Sequence, residues 1–100
     1  MEGKKNDRKD DKTRWELIPL DCLEDIARVY TEGAKKYGDN NWQNVDGFNK
    51  RYFAAAMRHL SSYSQGEIRD KESGELHLSH ALTNIMFLIW KLKASENEGN

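Results

Sequence analysis

LHLSHALTNIMFLIWKL, residues 76–92, decides the fold. Drawn as a helix over about residues 76–94, it has Leu78, Leu82, Ile85, Phe87, Leu88, Ile89 and Leu92 on nearly every side. A helix apolar on most sides must be buried on most sides. Helices of the size available elsewhere in the chain leave part of it bare. The sequence therefore predicts an all-α fold of three main helices that completes a helical bundle by dimerisation, as a homodimer or higher homo-oligomer.

Outward from that segment, the two other helices follow from spacing. Leu20, Leu23, Ile26, Ala27, Tyr30 and Ala34 recur at helical intervals, with Asp21 as the expected N-cap after Pro19. Lys35, Lys36 and Tyr37 before Gly38 read as a basic last turn and a glycine stop. GDNNWQNVDG at 38–47 is loop, dense in residues that tolerate turn conformations. A second helix is expected over residues 48–65, with Phe53, Ala56, Met57, Leu60 and Tyr63 as its buried stripe and Gly66 ending it. Residues 1–13 mix both charge signs with almost no apolar side chain and are expected to form a flexible arm. A single helical domain over 14–94 and a disordered polar tail over 95–100 complete the expected organisation.

Charge and cysteine usage narrow the function classes. A formal net charge of −1 gives no electrostatic case for nucleic acid. Cys22 stands alone, so no internal disulfide forms and a reducing, cytoplasmic compartment is the natural reading. No apolar run is long enough to cross a bilayer, so no membrane partner is expected.

The polar chemistry concentrates just before and within the third helix. GEIRDKESGELHLSHALTN, residues 66–84, carries four carboxylates, two histidines and two glycines. Glu67, Asp70 and Glu72 are hard oxygen donors suited to Mg²⁺ or Mn²⁺. Arg58 can fork onto a phosphate oxygen. The segment 70–74, with Ser73, precedes a helix N-terminus, where unsatisfied backbone N–H groups and the dipole favour an anion. His77, His80 and Asn84 fall on one stripe of the third helix, and His59 shares a polar face of the second with Arg51, Ala55, Arg58 and Ser62. Each signal has a plainer reading beside it. The carboxylates also suit a solvated, helix-capping turn, and a His pair at i, i+3 is more often capping or interhelical than metal-binding. Asn41 and Trp42 also read as turn and core. No pattern reads as zinc ligation, a P-loop, a Rossmann glycine motif or a Ser/Cys nucleophile site.

Three stretches in order, GAKKYG-x-x-NW at 33–42, RHL at 58–60 and GE-x-x-D-x-ESG-x-x-HL-x-HA-x-x-N at 66–84, carry a family resemblance. Over about Trp15 to Leu92 the chain resembles the small phage and prophage domain known as the N-terminal domain of dATP/dGTP diphosphohydrolases. The family is loosely similar to the all-α MazG-like nucleotide pyrophosphatases. The resemblance implies a metal-dependent (deoxy)nucleoside triphosphate pyrophosphohydrolase releasing a monophosphate and pyrophosphate, in the host cytoplasm. It departs from the MazG pattern of paired Glu-x-x-Glu and Glu-x-x-Asp helices, since Glu67-x-x-Asp70 sits at a helix end and Asp21-x-x-Glu24 is a loose substitute.

On this reading Glu67, Asp70 and Glu72 hold Mg²⁺ or Mn²⁺, and Glu24 is a further ligand or general base. Lys36, Arg58, His59 and Ser73 serve the phosphates, and His77 or His80 orients a phosphate or the attacking water. Asn41, Trp42 and Asn84 are expected at the nucleotide. The alternative is a phage protein that binds and sequesters a nucleotide without turnover. A structural helical oligomer whose polar end only caps the bundle is the third reading.

Overall fold

The computed structural model describes residues 11–98, so most of the expected arm and the last two residues of the expected tail lie outside the described residues. Three α-helices carry the fold: α1 (Leu20–Tyr37), α2 (Phe48–Ser64) and α3 (His77–Glu98). Short 3₁₀ turns at Trp15–Leu17 and Asn41–Asn44 precede α1 and α2. Among the described residues there is no strand, only an isolated antiparallel bridge between Arg69 and Leu76. The helix α3 packs chiefly on α2 and less extensively on α1, so it is the central element.

Local chemistry explains the ends of α1. Pro19, extended at φ −69° and ψ 112°, is the N-cap, and its carbonyl accepts the amides of Cys22 and Leu23. Asp21, the expected cap, lies inside the first turn, where a carboxylate complements the helix dipole as Lys35 and Lys36 do in the last turn. Gly38, at φ 95°, closes the helix by donating its amide to Ala34. Asn40, at φ 61°, then reverses the chain into the 3₁₀ turn that presents Trp42.

An aromatic cluster ties this turn to the helices. The Trp42 ring stacks on Phe87 of α3 with centroids 4.3 Å apart, and meets Trp90 edge-on at 4.9 Å. Tyr52 of α2 lies 4.7 Å from both Phe48 and Phe87, and its hydroxyl donates to the Trp42 carbonyl at 2.9 Å. Tyr30 of α1 completes the cluster against Phe87. Ile26, Phe48, Ala56, Ala81 and Phe87 are buried.

The helix α2 buries Ala56 as expected but turns the face next to the expected one inward. Its inward side holds Phe48, Tyr52, Ala56 and His59, whereas Phe53, Met57, Leu60 and Tyr63 are exposed, Phe53 by 59%. The aromatic turn at 41–44 claims the side one helical position away. On α3, Leu78, Leu82, Ile85, Ile89 and Leu92 are likewise exposed, while His77, Ser79, Thr83 and Asn84 are buried. The second correction concerns the tail: α3 continues through residues 95–98 as helix. No helix among the described residues is long and apolar enough to cross a membrane.

Candidate functional site

Between α2 and α3 the chain forms a tight, internally bonded loop. Gly66, at φ 99°, turns it away from α2, and the amide of Glu67 returns to the Ser62 carbonyl. His77 donates its amide to Ile68 at 3.0 Å, and Asp70 donates its amide to Glu75 at 2.8 Å, which zips the two arms. At the tip, Gly74 (φ 77°) donates its amide to the Asp70 carbonyl. Asp70 Oδ1 accepts the amides of Glu72 at 2.7 Å and Ser73 at 3.1 Å, an Asx-type turn built on one carboxylate oxygen. Ser73 Oγ accepts the Glu75 amide at 3.1 Å. Arg28 of α1 reaches across to Glu75, its Nε 3.2 Å from Oε2, and so fixes the loop to the first helix.

These bonds correct one expectation. The amides of residues 72–75 and of His77 are engaged within the loop, so they do not form the open anion cradle foreseen ahead of α3.

Over this loop three histidines converge. His77, 4% exposed, brings Nε2 within 2.6 Å of Glu67 Oε1, and Lys71 flanks the same carboxylate at 3.6 Å. Because a carboxylate only accepts, the contact needs a proton on His77 Nε2, and the neutral ring of that tautomer turns the Nδ1 lone pair toward α2. There His59 Nδ1 lies 2.9 Å away. Asp70 Oδ2, the oxygen not used by the turn, stands 3.9 Å from His59 Nδ1. On the other side the His80 ring stacks on His59 at 4.5 Å and 11°, and its Nε2 is 2.7 Å from Ser73 Oγ.

The cluster sets its own protonation. Burial, reinforced by His80 and His77, lowers the pKa of His59 below the ordinary imidazole value against the pull of Asp70. Burial also lowers His80, with Asp70 opposing. The hydrogen bond from His77 holds Glu67 below the usual carboxylate range. Burial alone would raise Asp70, but the amides of Ser73 and Glu72 outweigh it and its carboxyl stays low. At neutral pH the site holds neutral rings at His59 and His80 beside ionised carboxylates.

Two clefts meet here. The larger, about 820 Å³, runs along the C-terminal half of α1 and the 38–45 segment, with Lys36, Asn41, Trp42, Ser73, His80 and Asn84 on its walls. Its size suits a small-molecule ligand. The smaller, about 410 Å³, is lined by Arg58, Glu67 and His77 among others. His59, Asp70 and Glu72 line both.

All the sequence-predicted site residues but one therefore gather at this end of the bundle. Glu24 is the exception: it lines neither cleft, and its side chain, 74% exposed, lies 3.6 Å from Arg28. The Trp42 indole combines cleft wall with core, one face covered by Phe87. Asn84 donates back to the His80 carbonyl at 2.8 Å. Of the expected carboxylate ligands, Glu67 is paired with His77, and Asp70 Oδ2 stands 3.9 Å from His59 Nδ1. Among the described residues, the three side chains whose ligand atoms lie within 4.8 Å of one another are His59, Asp70 and His77. Sequence reading missed Arg28 and its hold on Glu75, a contact across 47 residues with no local signal, and the place of Arg51 and Tyr52 on the larger cleft.

Residues 2–99 match the family model described as dATP/dGTP diphosphohydrolase, N-terminal. A protein of Salmonella phage PMBT28 named dATP/dGTP diphosphohydrolase is 36% identical over 76 residues, covering 76% of this chain. The match spans 26% of that relative, so the chain corresponds to about a quarter of its length. No solved structure matches the chain. With its full helical region inside the match, the chain belongs to the dATP/dGTP diphosphohydrolase N-terminal domain family.

Proposed function

We propose that this domain binds a purine deoxynucleoside triphosphate in the larger cleft and hydrolyses it, with a divalent ion, to the monophosphate and pyrophosphate. The observation that carries the reading is the shared wall: His59 and Asp70 line the nucleotide-sized cleft and the polar pocket of Arg58 and His77 together. Asn41 and Trp42 on the wall of the larger cleft meet the base, and Lys36 of that cleft and Arg58 of the smaller one hold the phosphates. Water adds at the α-phosphorus, the α–β bridging bond breaks, and pyrophosphate departs with the negative charge. A divalent ion, whether Mg²⁺ or Mn²⁺, polarises a phosphoryl oxygen and acidifies water when bound. His80, neutral and steadied by Ser73, takes the proton of the attacking water. The residues suit such an ion, because the carboxylates of Glu67, Asp70 and Glu72 all stand on the wall of the smaller cleft as oxygen donors.

The exposed apolar side chains of α2 and α3, among them Phe53, Met57, Leu82 and Ile89, support a homodimer that covers them. A second reading, a nucleotide-binding module without turnover, uses the same cleft residues with no attacking water. The test is incubation of the purified chain with each of the four dNTPs and Mg²⁺ or Mn²⁺, followed by chromatography for pyrophosphate. Metal-dependent release from dATP or dGTP, lost in Lys36→Ala, is expected. Tight nucleotide retention with no product would support the binder instead, and neither binding nor product would reject both.

A further inference from the structure

Two imidazole nitrogens 2.9 Å apart, both Nδ1, raise a chemical question about what sits between them. Without an ion, one must donate to the other. For a neutral His77 with its proton on Nε2 facing Glu67, the donor is His59. The arrangement also has the form of a partly assembled coordination sphere. Two nitrogens at bond lengths of about 2.1 Å and a right angle lie roughly 3.0 Å apart, close to the separation here. Asp70 Oδ2 supplies a third donor within the same 4.8 Å circle. Glu67 on His77 Nε2 is the outer carboxylate that typically orients a metal-bound histidine and raises its basicity. Each donor comes from a different element: α2, the rigid loop and the first turn of α3. The loop's internal bonds and the Arg28–Glu75 tie fix the carboxylate in place before any ion arrives.

We propose that His59 Nδ1, His77 Nδ1 and Asp70 Oδ2 form a site for one borderline divalent transition ion, Zn²⁺, Co²⁺, Fe²⁺ or Mn²⁺, in preference to Mg²⁺. Imidazole favours such ions, whereas Mg²⁺ selects carboxylate and water oxygen. Two nitrogens and one oxygen leave coordination positions open toward the clefts that His59 and Asp70 line. The assignment deepens the proposed function by replacing the all-carboxylate ligand set with a mixed one. It rests on that reading only for the use of the ion.

The test uses the full chain and metal alone, with no nucleotide. In a Cys22→Ser background, which removes the exposed thiol, Co²⁺ titration followed by visible absorption is expected to saturate at one equivalent. Zn²⁺ should displace the Co²⁺, and excess Mg²⁺ should not. Glu67→Gln is expected to weaken binding about 10- to 100-fold. Asp70→Asn should weaken it further while circular dichroism stays native. These two variants carry the test if substitution of buried His77 prevents folding. Absence of saturable Co²⁺ binding, equal competition by Mg²⁺, or affinity unchanged in both variants would overturn the assignment. Failure of dNTP hydrolysis would leave this result standing, so the two readings fall separately.

Discussion

Asp70 performs two separable tasks, and two substitutions divide them. Its Oδ1 closes the loop by accepting two amides, and its Oδ2 faces the histidines. Asp70→Ala removes both. A hydrogen bond to a charged acceptor contributes about 1.5–3 kcal/mol when buried, but Glu72 and Ser73 are exposed and water can replace the lost oxygen. The expected loss is therefore nearer that of a helix cap, about 1–2 kcal/mol. For a domain of this size that lowers Tm by roughly 5–10 °C. Asp70→Asn keeps a carbonyl oxygen at the Oδ1 position and should lose well under half as much. Thermal unfolding by circular dichroism in the presence of a chelator reads both variants, and hydrogen exchange at the Glu72 and Ser73 amides locates the effect. Equal destabilisation by Asn and Ala, or no change for Ala, would refute the assignment of the turn to Oδ1.

Other outcomes follow from the same structure. In chelated protein, His59 and His80 have pKa values lowered on folding, so the unfolded chain binds more protons below its imidazole pKa of about 6.5. Stability should begin to fall as pH drops through about 6.5, with a further loss below about 4.5 where Glu67 and Asp70 protonate. His80→Asn should flatten the first phase in urea titrations at stepped pH, and an unaltered profile would contradict it. Trp42→Ala removes the ring that joins Phe87, Trp90 and Tyr30 and should cost about 3 kcal/mol, measured by urea denaturation. Phe53→Lys, on the exposed face of α2, should convert a dimer to a monomer by light scattering. A wild type that is monomeric at high concentration would remove the basis for that prediction.

How much of this was legible depended on whether the signal was local. The existence of three helices followed from apolar spacing, and Gly38 closes α1 as its basic last turn implied. The inward face of α2 was not legible, because Phe53, Met57 and Leu60 form as good an apolar stripe as the true one. Only the aromatic turn around Trp42, folded under α2 and α3, decides which side is inside. Antiparallel packing of α2 and α3 already implied that His59, His77 and His80 could gather at one end of the bundle. What it left open was the geometry: His59 meets both of the others, 2.9 Å from His77 and stacked on His80. Chain spacing could not reveal a contact set by helix packing. The acidic loop was recognisable from composition as a place for chemistry, and its glycines at 66 and 74 adopt the positive φ such a turn needs. What composition concealed was that the loop's amides bond inward to its own acids and carbonyls, which leaves the side chains, not the backbone, to meet a ligand.

The most direct measurement is a long-range ¹⁵N correlation spectrum of the histidine rings, recorded without metal and again after one equivalent of Zn²⁺. The structure predicts His77 protonated on Nε2 in the free protein, then concerted changes at Nδ1 of His59 and His77 while His80 Nε2 stays with Ser73. Zn²⁺ that leaves His59 and His77 unshifted, or that engages His80 alone, would contradict the convergence on which the account rests.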